Sequence, residues 1–206
     1  MIPKGYEISP RTGALYSIDR TVTANYDHKY VANYENLPQE AMSQIRGRLA
    51  EHFAPSMKTV CDIGFGTGAF LSELHRVNPK ATYHGFDVSP YPAPSFIKIE
   101  PNWVEKEWSL LTFFDSLEHF PHLDFVDRLK AKTIIVSVPY YHPYFGEQWF
   151  QNWKHRKAGE HLWHFTPQTL SAVFANYRCV FVGSPEDRVR VGAFGWPNIL
   201  TMVFQR

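Results

Sequence analysis

One stretch decides the fold: Thr59-Val60-Cys61-Asp62-Ile63-Gly64-Phe65-Gly66-Thr67-Gly68-Ala69-Phe70-Leu71, an apolar run that passes through alternating glycines into an amphipathic pattern. It predicts a strand, a tight turn and a helix. Glycines let the backbone bend sharply and approach a ligand closely, and the N–H groups that open the helix face the bound group. Gly64, Gly66 and Ala69 also match the loose Gly-x-Gly-x-x-Gly/Ala dinucleotide pattern, which alone is a weak signal. The stretch therefore predicts a nucleotide-binding turn.

A second predicted strand, residues 82–87, follows the helix and ends in an acidic residue, Asp87. The order strand, turn, helix, strand indicates a parallel sheet. At the carboxyl end of its strand, Asp87 can accept hydrogen bonds from both hydroxyls of a ribose. A helix cap or turn aspartate is the alternative interpretation. This carboxylate fits a nicotinamide cofactor and a methyl donor equally well.

Residues 88–95 depart from the usual pattern, because three prolines at 90, 92 and 94 cannot lie inside one helix. A doubly wound domain normally has a full helix here. We therefore expect that helix to be reduced or missing, followed by a short strand at residues 96–99.

Two further segments complete a recognisable set. Asp115-Ser116-Leu117-Glu118-His119 follows an apolar strand-like run, and residues 159–167 read Gly-Glu-His-Leu-Trp-His-Phe-Thr-Pro. Together with Asp62 before the first glycine, they resemble class I S-adenosylmethionine-dependent methyltransferases of the small Asp-x-Leu-Glu-His type, which includes ubiquinone-type enzymes.

The resemblance implies a Rossmann-like, doubly wound α/β fold. Its mostly parallel seven-stranded sheet would have an antiparallel last strand, with the helix after the second strand reduced or missing. Residues 1–36 would form an N-terminal extension or lid, and residues 37–206 a domain that binds S-adenosylmethionine and releases S-adenosylhomocysteine.

The resemblance also implies a cofactor site. Asp62 would lie beside the cofactor's amino acid end, and the turn at Asp115 along its methionine part, while Asn102 and Trp103 fall where adenine contacts are expected or are ordinary loop residues. The predicted cofactor-binding residues are Asp62, Gly64, Phe65, Gly66, Thr67, Gly68, Asp87, Val88, Asn102, Trp103, Asp115, Ser116 and Leu117.

The acceptor is expected beyond the carboxyl ends of the fourth and fifth sheet strands. Methyl transfer needs alignment and exclusion of water, and it needs a base only if the acceptor must lose a proton. Aromatic residues there indicate a ring-shaped acceptor, and the basic run at 154–157 would hold an anion or form a solvated loop. The predicted substrate-binding residues are Tyr26, Tyr30, Tyr140, Tyr141, Trp153, His155 and Arg156.

Several side chains keep two interpretations. Tyr26 and Tyr30 belong to a helical aromatic stripe that either packs on the domain or closes over the site. His142 and His161 are candidate catalytic bases or structural hydrogen-bonding groups. In some ubiquinone-type relatives the pair that matches Glu118 and His119 contributes to a metal site. No metal site is expected here, because the sequence supplies no third ligand beside these two adjacent residues, and hard cations want several oxygen ligands.

Composition limits the classes of function. The chain has 206 residues, a formal net charge of +1 and 16% aromatic residues, which indicates one folded domain. Near-neutral charge gives no long-range attraction for nucleic acid, so an extended nucleic-acid interface is not expected. Without a long apolar run or signal-peptide pattern, we expect no membrane association and a cytoplasmic monomer or homodimer.

These observations predict transfer of a methyl group from S-adenosylmethionine to an O, N or C atom of a small ring-containing or anionic acceptor. Two alternatives stay open. One is a catalytically silent, methyltransferase-like binding or scaffold module. The other is a nicotinamide-dependent oxidoreductase, which does not explain Asp62 or the motif at 115–119.

Overall fold

The computed structural model describes residues 2–25, 27, 38–89, 92–190 and 195–206. Its strands are β1 (Tyr6–Ile8), β2 (Leu15–Ser17), β3 (Thr59–Ile63), β4 (Thr82–Phe86), β5 (Ile97–Ile99), β6 (Glu107–Phe114), β7 (Lys130–Pro139), β8 (Trp163–His164), β9 (Arg178–Gly183) and β10 (Ile199–Gln205). Its α-helices are α1 (Gln39–Phe53), α2 (Ala69–Val77), α3 (Gly146–Asn152) and α4 (Pro167–Val173).

The main sheet has seven strands in the order β5-β4-β3-β6-β7-β10-β9. Strands β3 to β7 pair in parallel, whereas β10 is antiparallel to both of its neighbours. The predicted Rossmann-like fold with an antiparallel last strand is confirmed. Its chain order reverses between β3 and β6, which is where ligands of such sheets bind.

The central strands are apolar on both faces, as strands of a sheet covered on both sides must be. On β6, Leu111 and Phe113 belong to one core and Leu110 and Phe114 to the other. Helices α1 and α2 cover the second core, and α4 covers the first. The sheet is thus a rigid layer whose strand ends hold the loops in place.

The region after β4 agrees with the proline pattern. Between Phe86 and Ile97, the residues that the structure describes contain no helix. Pro94 packs against Gly68, where an added Cβ would lie 3.0 Å from its Cδ. The chain therefore crosses this edge of the sheet as a short connection.

The N-terminal residues form a hairpin, in which β1 is antiparallel to β2. The sequence did not predict its further pairing of β2 with β8, in which Leu15 lies opposite His164. The following residues then run along the domain, and the Thr23 backbone N–H donates to the Gly159 carbonyl at 2.8 Å. Whether residues 1–36 form a separate lid stays a prediction. Within the described part of the chain, no helix has the length and apolar character needed to cross a membrane.

Candidate functional site

A cavity of about 510 Å³ lies at the carboxyl ends of β3, β4 and β6. Its walls are the glycine turn after β3, the end of β4, the turn after β6 and one side of α1, with Val22 and Ala24 from the N-terminal segment completing them. The volume is within the range of small-molecule sites, and the position is the one where α/β sheets bind ligands.

The glycine turn needs glycine at Gly64 and at Gly66 for two different reasons. Gly64 has φ +79°, and a Cβ there would lie 2.6 Å from the Cβ of Ser116, so the turn packs tightly on the turn after β6. Gly66 has φ +54°, and an added Cβ would have no atom of a described residue within 4 Å. Gly64 therefore permits close packing inside the protein, while Gly66 faces open space that a ligand can occupy.

Asp87 is held by backbone hydrogen bonds at the edge of this turn. Its Oδ2 accepts from the Gly66 N–H and its Oδ1 from the Ser89 N–H, each at 2.7 Å. A carboxylate has about four lone-pair sites, so each oxygen keeps acceptor capacity for a ligand. The cavity thus has an oriented acceptor pair at the end of β4.

Asp62 lies deeper in the same cavity and is only 3% exposed. Burial raises the pKa of Asp62 to about 7, although a hydrogen bond from the Thr112 hydroxyl opposes the shift. That hydroxyl donates to Oδ1 at 2.7 Å. Near neutral pH this carboxyl is therefore close to half ionised, and a cation beside it would favour the charged form.

Four charged side chains, two of them buried and two partly buried, connect α1, the turn after β6 and the segment before β10. Arg46 donates from Nε and Nη2 to Glu186 at 3.0 and 2.8 Å, and from Nη2 to Asp115 Oδ2 at 2.8 Å. Arg190 also donates to both Glu186 and Asp115. Burial alone would raise the pKa of Asp115, but the guanidiniums of Arg190 and Arg46 hold it below its ordinary value. Arg46 and Asp115 line the cavity.

A second cluster lies beside this network. One potential ligand atom from each of Glu118, His119 and His161 lies within 4.8 Å of the others. Glu118 is 1% exposed, and within the part of the chain that the structure describes neither of its carboxylate oxygens has a hydrogen-bond partner. Burial, with the charge of Asp115 second, raises the pKa of Glu118 well above its ordinary value. The structure thus joins a buried carboxyl to two imidazoles.

Comparison with known proteins identifies the family. The model of the methyltransferase domain family matches residues 34–180. The chain belongs to this family. It is an S-adenosylmethionine-dependent methyltransferase, and this decides against the nicotinamide-dependent alternative. Among curated proteins, none matches the sequence significantly.

Solved structures share the fold at low identity. An S-adenosylmethionine-dependent methyltransferase from Clostridium acetobutylicum aligns with TM-score 0.58 and 10% identity over 86% of this chain and 97% of its own. The Burkholderia thailandensis 1,6-didemethyltoxoflavin N1-methyltransferase aligns with TM-score 0.57 and 12% identity over 97% of both chains. The methyltransferase domain of bacterial CtHen1 gives TM-score 0.52 and 20% identity over 81% of this chain and 99% of its own.

Most residues predicted to bind the cofactor of this methyltransferase line the cavity. They are Asp62, Gly64, Phe65, Gly66, Thr67, Asp87, Val88, Asp115 and Ser116. Gly68 instead forms the N-cap of α2 with φ +76°, and Leu117 is fully buried in the core.

The two predicted adenine contacts do not line the cavity. Trp103 is 4% exposed and packs edge-on against Phe125 and Phe113, with ring centroids 5.2 and 5.8 Å away. Asn102 is exposed, and its backbone N–H donates to Glu100. The stacking role expected for Trp103 therefore has to be corrected, because its ring is buried in the core and does not line the cavity.

The predicted acceptor residues that the structure describes also lie away from this cavity. Tyr26 and Tyr30 fall outside the described residues. Tyr141 and Trp153 pack on Phe150, and Tyr140 stacks on His142. His155 and Arg156 are partly buried.

The two candidate bases, His142 and His161, differ in the groups that they contact. His142 is 2% exposed, and its Nε2 and Nδ1 lie 2.6 and 2.8 Å from the Pro197 carbonyl and the Tyr144 hydroxyl. These two contacts fit the interpretation of His142 as a structural hydrogen-bonding group. His161 is buried as well, but it joins Glu118 and His119 and so supplies the third residue whose absence was the reason to expect no metal site.

Sequence reasoning missed several lining residues of the cavity. Arg46 had one available signal, since an arginine next to the apolar face of α1 is buried only with partners. For Val22 and Ala24, no signal in the sequence showed that they line the cavity. Their place depends on the pairing of β2 with β8.

Binding of S-adenosylhomocysteine at pH 7 is expected to release part of a proton. The free protein holds a proton on Asp62 below its pKa of about 7, and the cationic ammonium of the ligand lowers that pKa, so affinity should rise as the pH increases through 7. Titration calorimetry in phosphate and in Tris measures this release from the difference in apparent enthalpy. Asp62→Asn should remove the difference, and a wild type without buffer dependence would contradict the assignment.

Proposed function

We propose that this methyltransferase transfers the methyl group to a hydroxyl oxygen of a ring-containing acceptor, with a divalent metal ion held by Glu118, His119 and His161. One observation carries the proposal: a buried carboxyl that has no hydrogen-bond partner among the described residues lies beside two imidazoles, and one of these, His119, lines the cofactor cavity.

The buried carboxyl of Glu118 is costly unless something satisfies it. A carboxyl group removed from water needs a hydrogen bond, a paired charge or a metal. Among the residues that the structure describes, neither Oε1 nor Oε2 of Glu118 finds a hydrogen-bond partner, and the nearby acid Asp115 adds repulsion. A bound cation would satisfy both oxygens and favour the ionised form.

The two imidazoles suit metal ligation. Burial lowers the pKa of His119 to about 4 and that of His161 well below its ordinary value, so both rings are neutral, as metal ligands must be. Nδ1 of His161 lies 2.8 Å from the His155 carbonyl and donates to it. This hydrogen bond leaves Nε2 as the nitrogen with the lone pair, the arrangement usual for histidine ligands.

The donor set favours a transition metal over magnesium. One carboxylate and two imidazoles are typical ligands of zinc, manganese, cobalt and iron, whereas magnesium prefers oxygen ligands and water. The set leaves coordination positions for an acceptor. A bound ion would lower the pKa of an acceptor hydroxyl.

The position of the proposed metal site beside the cofactor cavity supports oxygen as the acceptor atom. His119 lines the cavity, together with Phe120 and Pro121 of the next turn and Asp115 of the same turn. The chain's residues would thus align a deprotonated oxygen with the methyl group while apolar walls exclude water. An amine or a carbon acceptor would gain much less from such an ion.

The relatives favour a ring-containing acceptor without naming one. The Burkholderia enzyme has a bound 1,6-didemethyltoxoflavin, and another similar structure is described as a small-RNA methyltransferase. A ring that carries a hydroxyl is the chemistry that the aromatic walls and the metal cluster of this chain would accept. We propose a small molecule as its source, in keeping with the net charge of +1.

The test is transfer of an isotopically labelled methyl group by metal-stripped protein. Catechols, nucleosides, aromatic amines and short RNA serve as acceptors, each assayed with EDTA and after addition of Mn²⁺, Co²⁺ or Mg²⁺. We expect transfer to hydroxyl compounds only after metal addition, with Mn²⁺ or Co²⁺ above Mg²⁺. Undiminished transfer in EDTA, or transfer to amines alone, would overturn the proposal, and transfer to RNA alone would overturn the small-molecule part.

A further inference from the structure

We propose that a second cavity, beside α3, is a binding site for a planar aromatic molecule that carries one carboxylate. The second cavity has a volume of about 520 Å³, within the range of small-molecule sites. Among the described residues, none lines both this cavity and the cofactor cavity. The inference therefore does not rest on methyl transfer, on the nature of the acceptor or on a metal ion.

Four aromatic rings form the apolar wall of the second cavity: Phe145, Trp149, Trp153 and Trp196. Trp149 stacks on Trp153 with ring centroids 5.1 Å apart, and Phe145 packs against Trp149 and Trp196 at 5.2 and 4.9 Å. Phe145 nevertheless stays 37% exposed and Trp196 36% exposed. Large apolar side chains that stay exposed together mark interaction sites. Because aromatic rings pair favourably with other rings, a planar aromatic group fits this wall.

The charge of the second cavity favours an anion. Lys154 is the one charged side chain among its described lining residues. Burial, with the charge of Arg190 second, lowers the pKa of Lys154, and Asp187 opposes the shift. Both oxygens of Asp187 already accept from backbone N–H groups, those of Asn198 and Ile199, at 2.7 and 3.0 Å. An anion in the cavity would favour the charged form of the lysine and would meet no acidic side chain of the described lining.

The neighbours of Lys154 in the basic run have other contacts. The Arg156 guanidinium carbon lies 6.0 Å from the centre of the Phe150 ring, and Lys157 donates to Glu160 at 2.7 Å. Lys154 is thus the member of the run that is placed for a ligand of the second cavity. One lysine balances one negative charge. A carboxylate carries one, whereas a phosphate monoester carries about 1.5 to 2 at pH 7, so the cavity suits a carboxylate better.

Asn198 adds a polar group to the same wall. The residue is 6% exposed and lines the second cavity. Its backbone N–H donates to Asp187, and its carbonyl accepts from the Tyr140 N–H at 3.0 Å. Among the described residues, its side-chain amide has no hydrogen-bond partner, although buried polar side chains normally have one. A ligand carboxylate can accept from this amide, which adds a directional contact to the charge of Lys154.

The deciding experiment compares small probes that differ in charge or in the ring. Titration calorimetry measures the affinity of the wild-type full chain for 1-naphthoate, 1-naphthamide, 1-naphthyl phosphate and cyclohexanecarboxylate. We expect 1-naphthoate to bind about tenfold more tightly than the neutral amide, the effect of a charge-assisted hydrogen bond at an exposed lysine, and at least as tightly as the phosphate. Cyclohexanecarboxylate should bind about tenfold more weakly than 1-naphthoate, because it lacks the aromatic ring.

Each probe can contradict one part of the inference. Absence of 1-naphthoate binding would overturn the site. Equal affinities for 1-naphthoate and 1-naphthamide would overturn the requirement for an anion, and tighter binding of the phosphate would overturn the choice of a carboxylate. Equal binding of cyclohexanecarboxylate would overturn the aromatic requirement.

Variants then locate the probe. Lys154→Gln should remove the preference for 1-naphthoate over 1-naphthamide, Asn198→Ser should reduce it partly, and Trp196→Leu should weaken both probes about tenfold. Lys130→Gln is the matched control, since Lys130 is exposed at the start of β7, at the opposite end of the sheet. Full preference in a folded Lys154→Gln protein, or unchanged affinities in a folded Trp196→Leu protein, would place the probe elsewhere and overturn the inference.

A competition experiment tests whether the two cavities are separate. Saturating S-adenosylhomocysteine should change the affinity for 1-naphthoate by less than about threefold, because the two ligands share no described lining residue. Displacement of 1-naphthoate would overturn the inference. Binding of 1-naphthoate by a protein that binds no S-adenosylhomocysteine would support the second cavity and would contradict the cofactor assignment, so the two failures are distinguishable.

Discussion

Replacing Asp87 with alanine is expected to weaken the binding of S-adenosylhomocysteine by about a hundredfold, because the carboxylate is placed to accept from two ribose hydroxyls. The same oxygens accept from the N–H groups of Gly66 and Ser89, so the variant also loses the anchor of the glycine turn. Titration calorimetry on purified, folded protein measures the change. Circular dichroism checks that the sheet is intact.

The controls for Asp87 separate ligand contact from support of the turn. Asp87→Asn keeps one acceptor oxygen of the same shape and should lose less affinity than alanine. Asp124→Ala removes an acid whose side chain is 88% exposed and should change nothing. A loss below threefold in Asp87→Ala would contradict the ribose contact. A loss that is equal for a ligand lacking both ribose hydroxyls would assign the effect to the turn alone.

The parts of the site that sequence could predict are local. The glycine turn, Asp62 and Asp87 lie at the ends of consecutive elements, and a right-handed strand-helix-strand unit places such ends side by side. The parallel part of the sheet follows from the same rule applied along the chain. The antiparallel last strand and the choice of a methyl donor over a nicotinamide cofactor came instead from the resemblance carried by Asp62 and the motif at 115–119.

Trp103 shows where local reasoning failed. Its position after β5 suggested the adenine region, but the direction of a side chain in a short 3-10 turn depends on what it packs against. Here Trp108 fixes that turn, since its indole N–H donates to the Trp103 carbonyl at 2.8 Å. The ring then joins the core formed with Phe113 and Phe125, which no spacing of residues encodes.

The histidine cluster shows a second limit, namely distance along the chain. Glu118 and His161 are far apart in sequence and meet because the Leu162 N–H donates to the Glu118 carbonyl at 2.8 Å. That hydrogen bond lies next to β8, whose pairing with the N-terminal hairpin was not predicted. Since long-range pairings place the third ligand, the motif at 115–119 alone gave no reason to expect it.

Replacing Glu118 with glutamine is expected to abolish metal binding and to lower methyl transfer at least a hundredfold, with the affinity for S-adenosylhomocysteine within a few-fold of wild type. Glutamine keeps the shape but not the charge, and Glu118 does not line the cofactor cavity. His161→Ala should have the same two effects. Manganese titration and labelled-methyl assays measure them, and His52→Ala, on an exposed helix position, is the control.

Thermal unfolding tests the same proposal sharply. Adding Mn²⁺ should reverse the order of stability of the wild type and Glu118→Gln. In EDTA, Glu118→Gln should unfold at the same or a higher temperature than wild type, since the wild type buries a carboxyl whose oxygens have no hydrogen-bond partner in the described ranges. With Mn²⁺ at about a hundred times its dissociation constant, the wild type should gain about 2.7 kcal/mol and the variant nothing. Equal stabilisation of both proteins by Mn²⁺ would place the ion elsewhere. A variant less stable than wild type in EDTA would mean that Glu118 is satisfied without a metal, and the reason for proposing one would be lost.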